Sequence, residues 1–119
     1  LTLLRQPRKE GHMNLITRME EFDRLIDEPE AIIFKHSTSC PISSSAHREV
    51  DGFLAECSHQ SLHKVQVVEY RPVSDYIAEK TGVRHASPQV IVLRYGSVHW
   101  HASHFDITLG ALTEQSSLC

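Results

Sequence analysis

A cysteine–proline pair between an apolar run and an amphipathic segment constrains the fold more than any other feature of this chain. Residues 31–34 form a short, unbroken apolar run that includes two isoleucines, which is typical of a buried strand. Pro41 suits the first position of a helix, where a missing N–H costs nothing. The pattern therefore predicts a buried strand, then Cys40 at a helix N-cap, then a helix whose apolar residues recur at helical spacing, at Ala46, Val50, Phe53, Leu54 and Cys57.

The predicted position of Cys40 favours thiol chemistry. A helix N-cap faces unpaired backbone N–H groups and the positive end of the helix dipole, and both stabilise a thiolate relative to a thiol. We interpret Cys40 as a reactive thiol, with a small, buried structural cysteine as the alternative. Ser43 stands where a dithiol oxidoreductase has its second cysteine. Redox chemistry at Cys40 would therefore be of a monothiol kind, or would need a thiol from elsewhere.

Size, charge and cysteine content exclude several classes of protein. A length of 119 residues with 40% apolar content predicts one domain with a single core. No apolar run approaches the roughly 18 residues of a membrane span, and no secretory signal pattern is present. A net charge of -3 argues against a general nucleic-acid binder. Three cysteines, an odd number without a disulfide framework, predict a reducing cytoplasmic location.

The remaining segments alternate between helices and strands, which predicts an α/β fold. Two strands bracket the Cys40 helix within about 40 residues, and this spacing indicates a parallel, right-handed βαβ unit. The other elements follow from periodicity, capping residues and turn signals. They are a helix over 17–27, a strand over 62–70, a helix capped by Ser74 and closed by Gly82, a strand over 89–93 after Ser87–Pro88, a hairpin turn at Tyr95–Gly96 into a strand over 97–101, and a last helix from Asp106 or Thr108.

Four stretches of the chain carry a resemblance to a known family: Lys35–Ser43, Val68–Ser74, His85–Gln89 and Trp100–Thr108. In this order they resemble the motifs of the monothiol bacilliredoxins (YtxJ-like proteins), over about residues 15–112. The resemblance implies a thioredoxin-like fold, with a central mixed four-stranded sheet flanked by helices. It also implies removal of bacillithiol, a cysteinyl-glucosamine-malate thiol, from mixed disulfides on protein cysteines. The expected organisation is a disordered or non-native extension over 1–12, a thioredoxin-like domain over 13–115 and a flexible tail over 116–119.

The resemblance also implies roles for individual residues. Cys40 corresponds to the family's nucleophile, and Ser43 could donate a hydrogen bond to its thiolate, with an ordinary first-turn helix serine as the alternative. Pro88 corresponds to a cis-proline beside the nucleophile. A cis peptide there would expose the backbone of Ser87 to an incoming client strand. The supporting residues are thus expected to be Thr38, Pro41, Ser43, Ser87 and Pro88.

Bacillithiol would be a co-substrate, and no tightly bound cofactor is expected. Its malate carboxylates need cations or N–H donors, for which the candidates by charge are Lys35, His36, Arg71 and Arg84. The alternative for each is a solvated surface residue. Trp100 is either an aromatic wall for the sugar or a packing residue. The expected partners are bacillithiol and S-bacillithiolated client proteins, with no nucleic acid and no membrane.

Two further groups of residues are the histidines near the C-terminal end of the chain and the other two cysteines. His99, His101 and His104 lie close together in sequence, but no metal is expected, because no Cys pair or carboxylate with ligand spacing accompanies them. Cys57 lies about 25 Å along the helix from Cys40, too far for a disulfide, and is expected to be a core residue. Cys119 falls on the expected flexible tail.

Two other functions remain open at this point. A non-catalytic adaptor of the same fold would bind proteins through the edge that carries Pro88. A redox sensor would instead hold a stable adduct on Cys40 and change its binding partners without turnover.

Overall fold

The computed structural model of the protein describes residues 13–117 and 119, so the extension expected over 1–12 lies outside the described residues. Five strands and four α-helices follow one another, with a 3₁₀ turn at His104–Asp106 before the last helix. They are β1 Met13–Leu15, α1 Met19–Leu25, β2 Ala31–His36, α2 Pro41–Glu56, β3 Leu62–Gln66, α3 Arg71–Thr81, β4 Gln89–Arg94, β5 Ser97–Ser103 and α4 Leu109–Gln115.

The strands form one mixed sheet in the order β1-β3-β2-β4-β5. Strand β2 runs parallel to β3 and antiparallel to β4, which confirms the predicted βαβ unit and hairpin. The α/β class is confirmed, but the sheet has five strands where four were expected. The additional strand, β1, pairs in parallel with β3 over three residues, which is too short to show an alternating pattern in the sequence.

Helices cover both faces of the sheet, so the central strand β2 is buried on both sides. All six residues of β2 are buried. Phe34 packs in the cluster formed with α2 and α4, whereas Ile33 packs in the cluster formed with α1 and α3. A strand between two helical layers reads as a continuous apolar run rather than an alternating one. Cys40 therefore follows a rigid, fully buried strand.

The segment after the βαβ unit differs from the sequence prediction in where strand β3 ends and where helix α3 begins. Strand β3 ends at Gln66, and a turn closed by the Tyr70 N–H on the Gln66 carbonyl (2.9 Å) leads directly into α3. Helix α3 begins at Arg71, so Ser74 is a buried residue within the helix and not its cap. Gly82 ends α3 with a positive φ of 75°, as predicted.

Ser117 and Cys119 contact the rest of the domain, in a segment where a flexible tail was expected. The Ser117 N–H donates to the Glu30 carboxylate (3.2 Å), and Cys119 forms a disulfide with Cys57. Cys57 is buried as predicted, but the expectation of a chain without a disulfide framework is wrong. The two partners are 62 positions apart in sequence, with Cα atoms 4.9 Å apart, so no local pattern indicates the bond. None of the described helices is long and apolar enough to span a membrane.

Candidate active site

Cys40 lies at the junction of β2 and α2, as predicted. It is the N-cap of α2, with extended backbone (φ -109°, ψ 122°), and Pro41 occupies the first turn. Its carbonyl accepts the first helical hydrogen bond from the Ser44 N–H at 3.1 Å. The side chain is partly exposed, and Cys40 is the free cysteine among the described residues. An accessible thiol therefore stands at the N-terminal end of a 16-residue helix.

Ser43 supports the loop that carries Cys40. Its side chain is fully buried, and its Oγ accepts a hydrogen bond from the Ser37 N–H at 3.1 Å. The Cys40 N–H contacts the Ser37 carbonyl at 3.4 Å. Ser43 thus fixes the turn between β2 and α2 from beneath, which is a different role from the predicted donation to Cys40. Thr38 and Ser39 lie on the outside of this turn and are exposed.

The Ser87–Pro88 peptide bond is cis, and it lies at the same edge of the sheet as Cys40. In the antiparallel register of β2 and β4, Lys35 pairs with Gln89. Pro88 therefore lies beside the point where the chain leaves β2 for the Cys40 loop. The Pro88 carbonyl accepts from the His104 N–H at 3.0 Å, whereas Ser87 is partly exposed next to it.

Lys35 is fully buried and therefore is neither a solvated surface residue nor placed to touch a ligand. Its Nζ donates to the Ser74 carbonyl at 3.0 Å and lies 3.3 Å from His85 Nδ1. Burial lowers the pKa of Lys35 to about 8, against the opposing effect of the Asp75 carboxylate. Its position in β2 explains the burial, because side chains on both faces of this strand are covered by helices.

Lys35, Ser74 and His85 form what we call the Lys35 cluster. An ammonium can only donate, so His85 Nδ1 must be the unprotonated, accepting nitrogen of its ring. Burial, followed by the charges of Lys35 and Arg71, lowers the pKa of His85, which keeps the imidazole neutral. Because His85 belongs to the loop between α3 and β4, the cluster ties the loop that carries Pro88 to both β2 and α3.

His36 is also buried, on the opposite face of the sheet from Lys35. It is 6% exposed, and its ring packs against the rings of His47 (4.8 Å between centroids) and Phe34 (5.5 Å). Burial, followed by the charges of His47 and Lys64, lowers the pKa of His36 to about 4. His36 is therefore neutral at physiological pH and, like Lys35, differs from the exposed cation expected from the sequence.

The other candidate ligand contacts remain on the surface. Arg71 and Arg84 are exposed, and Arg71 pairs with Asp75 at 3.2 Å. Trp100 is partly buried and packs against the core between the sheet and α2, in agreement with the packing alternative. His99 and His101 share the exposed face of β5. Within residues 13–117 and 119, no three His, Cys, Asp or Glu side chains are grouped to hold a metal ion.

The site therefore consists of an accessible thiol, a buried serine beneath it and a cis-proline loop beside it. Sequence reasoning placed these three parts but missed the Lys35 cluster. One signal for this cluster was present in the sequence, because Lys35 directly follows the four apolar residues of the central strand. Since β2 extends to His36, Lys35 lies within the buried strand and not after it. Such an arrangement can present Cys40 to the sulfur of an incoming disulfide while the neighbouring backbone stays fixed.

Comparisons with known proteins agree with this geometry. The family model for monothiol bacilliredoxin BrxC matches residues 14–112. A solved structure described as a candidate oxidoreductase with a thioredoxin fold is 32% identical, with a TM-score of 0.81, and the match covers 86% of this chain and 91% of that one. Thioredoxin from Trypanosoma brucei brucei is 17% identical (TM-score 0.73) and thioredoxin from Malassezia sympodialis 16% (TM-score 0.69), each with 93% of both chains covered. These last two show the fold alone, and the predicted thioredoxin-like fold is confirmed.

Proposed function

Because the chain belongs to the monothiol bacilliredoxin family, we propose that its Cys40 removes bacillithiol from mixed disulfides on protein cysteines. The family and the fold support a thiol–disulfide oxidoreductase. The proposal adds the thiol that is removed and the residue that removes it.

The pairing state of the three cysteines carries the proposal. Cys40 is free and partly exposed at a helix N-terminus, whereas Cys57 and Cys119 are bonded to each other. Ser43, one turn after Cys40, has a hydroxyl where a resolving thiol would stand, and its oxygen already accepts from Ser37. The described residues thus offer one thiol for exchange and none nearby to resolve it, which is the requirement of monothiol chemistry.

The proposed reaction consists of two thiol–disulfide exchanges. The Cys40 thiolate attacks the bacillithiol sulfur of the mixed disulfide, a bond forms between these two sulfurs, and the client cysteine leaves as a thiolate that takes a proton from solvent. A second bacillithiol thiolate then attacks the bacillithiol sulfur on Cys40. This step releases bacillithiol disulfide and regenerates Cys40. Each step exchanges one S–S bond for another, so the number of disulfides is conserved: the client cysteine is reduced to a thiol as the one incoming bacillithiol thiol is oxidised into bacillithiol disulfide.

The neighbouring residues supply binding surfaces for client and co-substrate. The Pro88 carbonyl accepts a hydrogen bond from His104, so the backbone of Ser87, a partly exposed residue, is our candidate for pairing with a client strand. Arg71 and Arg84 are exposed cations for the malate carboxylates. Lys35 and His36 are not assigned to direct contacts, because both side chains are buried.

A mass-transfer experiment tests the proposal. The protein, with Cys40 as a free thiol and the Cys57–Cys119 disulfide closed, is mixed with a bacillithiol-modified client, and intact masses of both are followed over time. We expect the bacillithiol mass to move from the client to the wild-type protein and then to leave when free bacillithiol is added. The Cys40→Ser variant should accept nothing. A Cys57→Ala/Cys119→Ser variant, in which Cys40 is the remaining cysteine, should accept as the wild type does.

The other outcomes of this experiment identify the competing functions. Transfer of bacillithiol to Cys40 without later release would indicate a redox sensor. No transfer to the wild-type protein or to its Cys40→Ser variant would indicate a binding adaptor. Equal transfer to wild type and Cys40→Ser would contradict the assignment of Cys40.

A further inference from the structure

A disulfide lies at the end of α2 opposite to Cys40. Cys57 caps the C-terminal end of this helix and is 3% exposed, whereas its partner Cys119 is exposed. The 17 residues between Cys40 and Cys57 correspond to about 25 Å of helix. Cys40 therefore cannot reach this bond within the same molecule, and the bond takes no part in the exchange proposed above.

Polar contacts also hold the residues that precede Cys119. The Glu30 side chain, 6% exposed, accepts from the Ser117 N–H (3.2 Å), from Gln60 Nε2 (3.1 Å) and from Arg94 Nε (3.3 Å). Gln60 Nε2 also donates to Ser116 Oγ at 2.7 Å. We call Glu30, Gln60 and Arg94 the Glu30 anchor. Ser117 therefore contacts a carboxylate that is itself almost fully buried.

These hydrogen bonds alone are a weak tether. The net contribution of each intramolecular hydrogen bond is small, because water offers the same groups equivalent bonds. Ordering the backbone of each additional residue costs at least as much conformational free energy. The bond to buried Cys57 removes most of this cost, since it fixes the far end of the segment at a rigid helix terminus. Ser116 is also the C-cap of α4, where its N–H donates to the Leu112 carbonyl (3.1 Å), so the contacts that the disulfide secures are those of Ser117 and of the Ser116 side chain.

We propose that Cys57 and Cys119 form a second redox site, at which a small dithiol opens the bond and releases Ser116 and Ser117 from the Glu30 anchor. A thiolate of the dithiol attacks the sulfur of Cys119, the exposed residue of the pair, and Cys57 leaves and takes a proton. The second thiolate of the reductant then displaces Cys119, which also takes a proton, as the reductant closes its own disulfide. Two electrons and two protons pass from the dithiol to the protein.

Burial distinguishes the two cysteines of this bond. Cys57 lies in apolar surroundings, so a reductant reaches the bond from the side of Cys119, the exposed residue of the pair. Once the bond is reduced, the released state persists until an oxidant re-forms it. This proposal stands whether or not Cys40 acts on bacillithiol.

Counting thiols tests whether the bond forms and opens. The folded full chain is equilibrated with oxidised glutathione, freed of it and either treated or not treated with dithiothreitol; it is then unfolded in guanidinium chloride, alkylated with iodoacetamide and weighed intact. In the Cys40→Ser variant, which removes the exchange thiol, we expect no adduct before reduction and two after it. Two alkyl groups before reduction would show that the bond does not form, and none after reduction would show that it does not open. Either result overturns the proposal.

Hydrogen exchange tests the release itself. The Ser117 N–H, which donates to Glu30, should exchange at least about tenfold faster in the reduced protein, while Ile33 and Ile91 in the sheet stay within about twofold. Cys119→Ser without reductant should reproduce the fast exchange at Ser117. Equal exchange at Ser117 in both redox states would overturn the proposal. A comparable rise at Ile33 and Ile91 would also overturn it, since the disulfide would then stabilise the whole fold and not this segment.

Discussion

Lys35 Nζ lies 3.3 Å from His85 Nδ1, so a fully buried ammonium on the central strand holds the loop that leads to Pro88. The same ammonium donates to the Ser74 carbonyl in α3. Three elements of the fold thus meet at one side chain behind the exchange site. The position of the loop beside Cys40 therefore depends on the contacts of a buried charge.

Lys35→Met should change the pH dependence of stability. The pKa of Lys35 is lowered to about 8 in the folded protein from its ordinary value of 10.5, so between these values the unfolded chain binds more protons. The free energy of unfolding of the wild type should therefore rise by about 1–2 kcal/mol from pH 8 to 10.5, since solvent screening reduces the full linkage value. Urea denaturation with Cys40 alkylated measures this rise, and the methionine variant should lack it.

The same variant should slow thiol exchange, because methionine cannot donate to His85 or to the Ser74 carbonyl. We expect transfer from a disulfide-linked client to fall several-fold at saturating protein, with the fold retained by circular dichroism. Lys80→Met, at an exposed lysine of α3, is the control. Unchanged transfer by Lys35→Met would show that the Lys35 cluster does not position the loop.

His36 should make the protein less stable in acid. Its folded pKa is about 4, against an ordinary value of 6.5, so the unfolded state binds more protons between these values. The stability contributed by neutral His36 is complete above pH 6.5 and is lost as the pH falls towards 4, by about 1–2 kcal/mol after allowance for solvent screening. The lowered pKa of His85 acts in the same direction. His36→Leu should flatten the dependence of the urea midpoint on pH over this window. If the urea midpoint of His36→Leu depended on pH as steeply as that of the wild type, the loss of stability in acid would not come from His36.

Gly96 is required by the hairpin between β4 and β5. Its φ is +81°, and a Cβ built on it would meet Ile26 Cγ2 at 2.7 Å and the Ile26 carbonyl oxygen at 3.1 Å. Gly96→Ala should therefore lower the free energy of unfolding by about 1–3 kcal/mol through backbone strain and this contact. Gly52→Ala is the matched control. Gly52 lies within α2 with open space around it, so alanine should stabilise the helix by about 0.5–1 kcal/mol. The two urea midpoints should move in opposite directions.

Local sequence patterns predicted the parts of the site that depend on local geometry. Proline in the first turn after an apolar run is sufficient to place Cys40 at an N-cap, and Gly82 is sufficient to end α3, because each residue type restricts its own backbone. The resemblance to a family supplied the cis state of Pro88 and the thioredoxin-like fold. These features needed no knowledge of which distant segments meet.

The missed features depend on contacts between distant segments. The burial of Lys35 follows from the two helical layers that cover β2, and its partners come from residues 39 and 50 positions later. The disulfide between Cys57 and Cys119 joins residues 62 positions apart. When each residue is considered alone, charge favours a lysine on the surface and spacing favours cysteines without a disulfide. Both predictions failed because the partners of these residues lie far away in sequence.

Ser43 offers a test of whether the loop beneath Cys40 must be rigid for exchange. Its buried Oγ accepts from the Ser37 N–H, so Ser43→Ala leaves a buried donor unpaired and should cost about 1–3 kcal/mol of stability. The Cys40 turn should loosen with it, and transfer to Cys40 should slow although the thiol itself is unchanged. Ser44→Ala removes only the long, exposed hydrogen bond from the Ser44 hydroxyl to the Cys40 carbonyl (3.4 Å), so it should alter stability and transfer less than Ser43→Ala. Mass transfer measured at a temperature where both variants are folded separates the two effects. If Ser43→Ala transferred as fast as Ser44→Ala, Ser43 would contribute to folding alone, and its position one turn after the nucleophile would have no bearing on exchange.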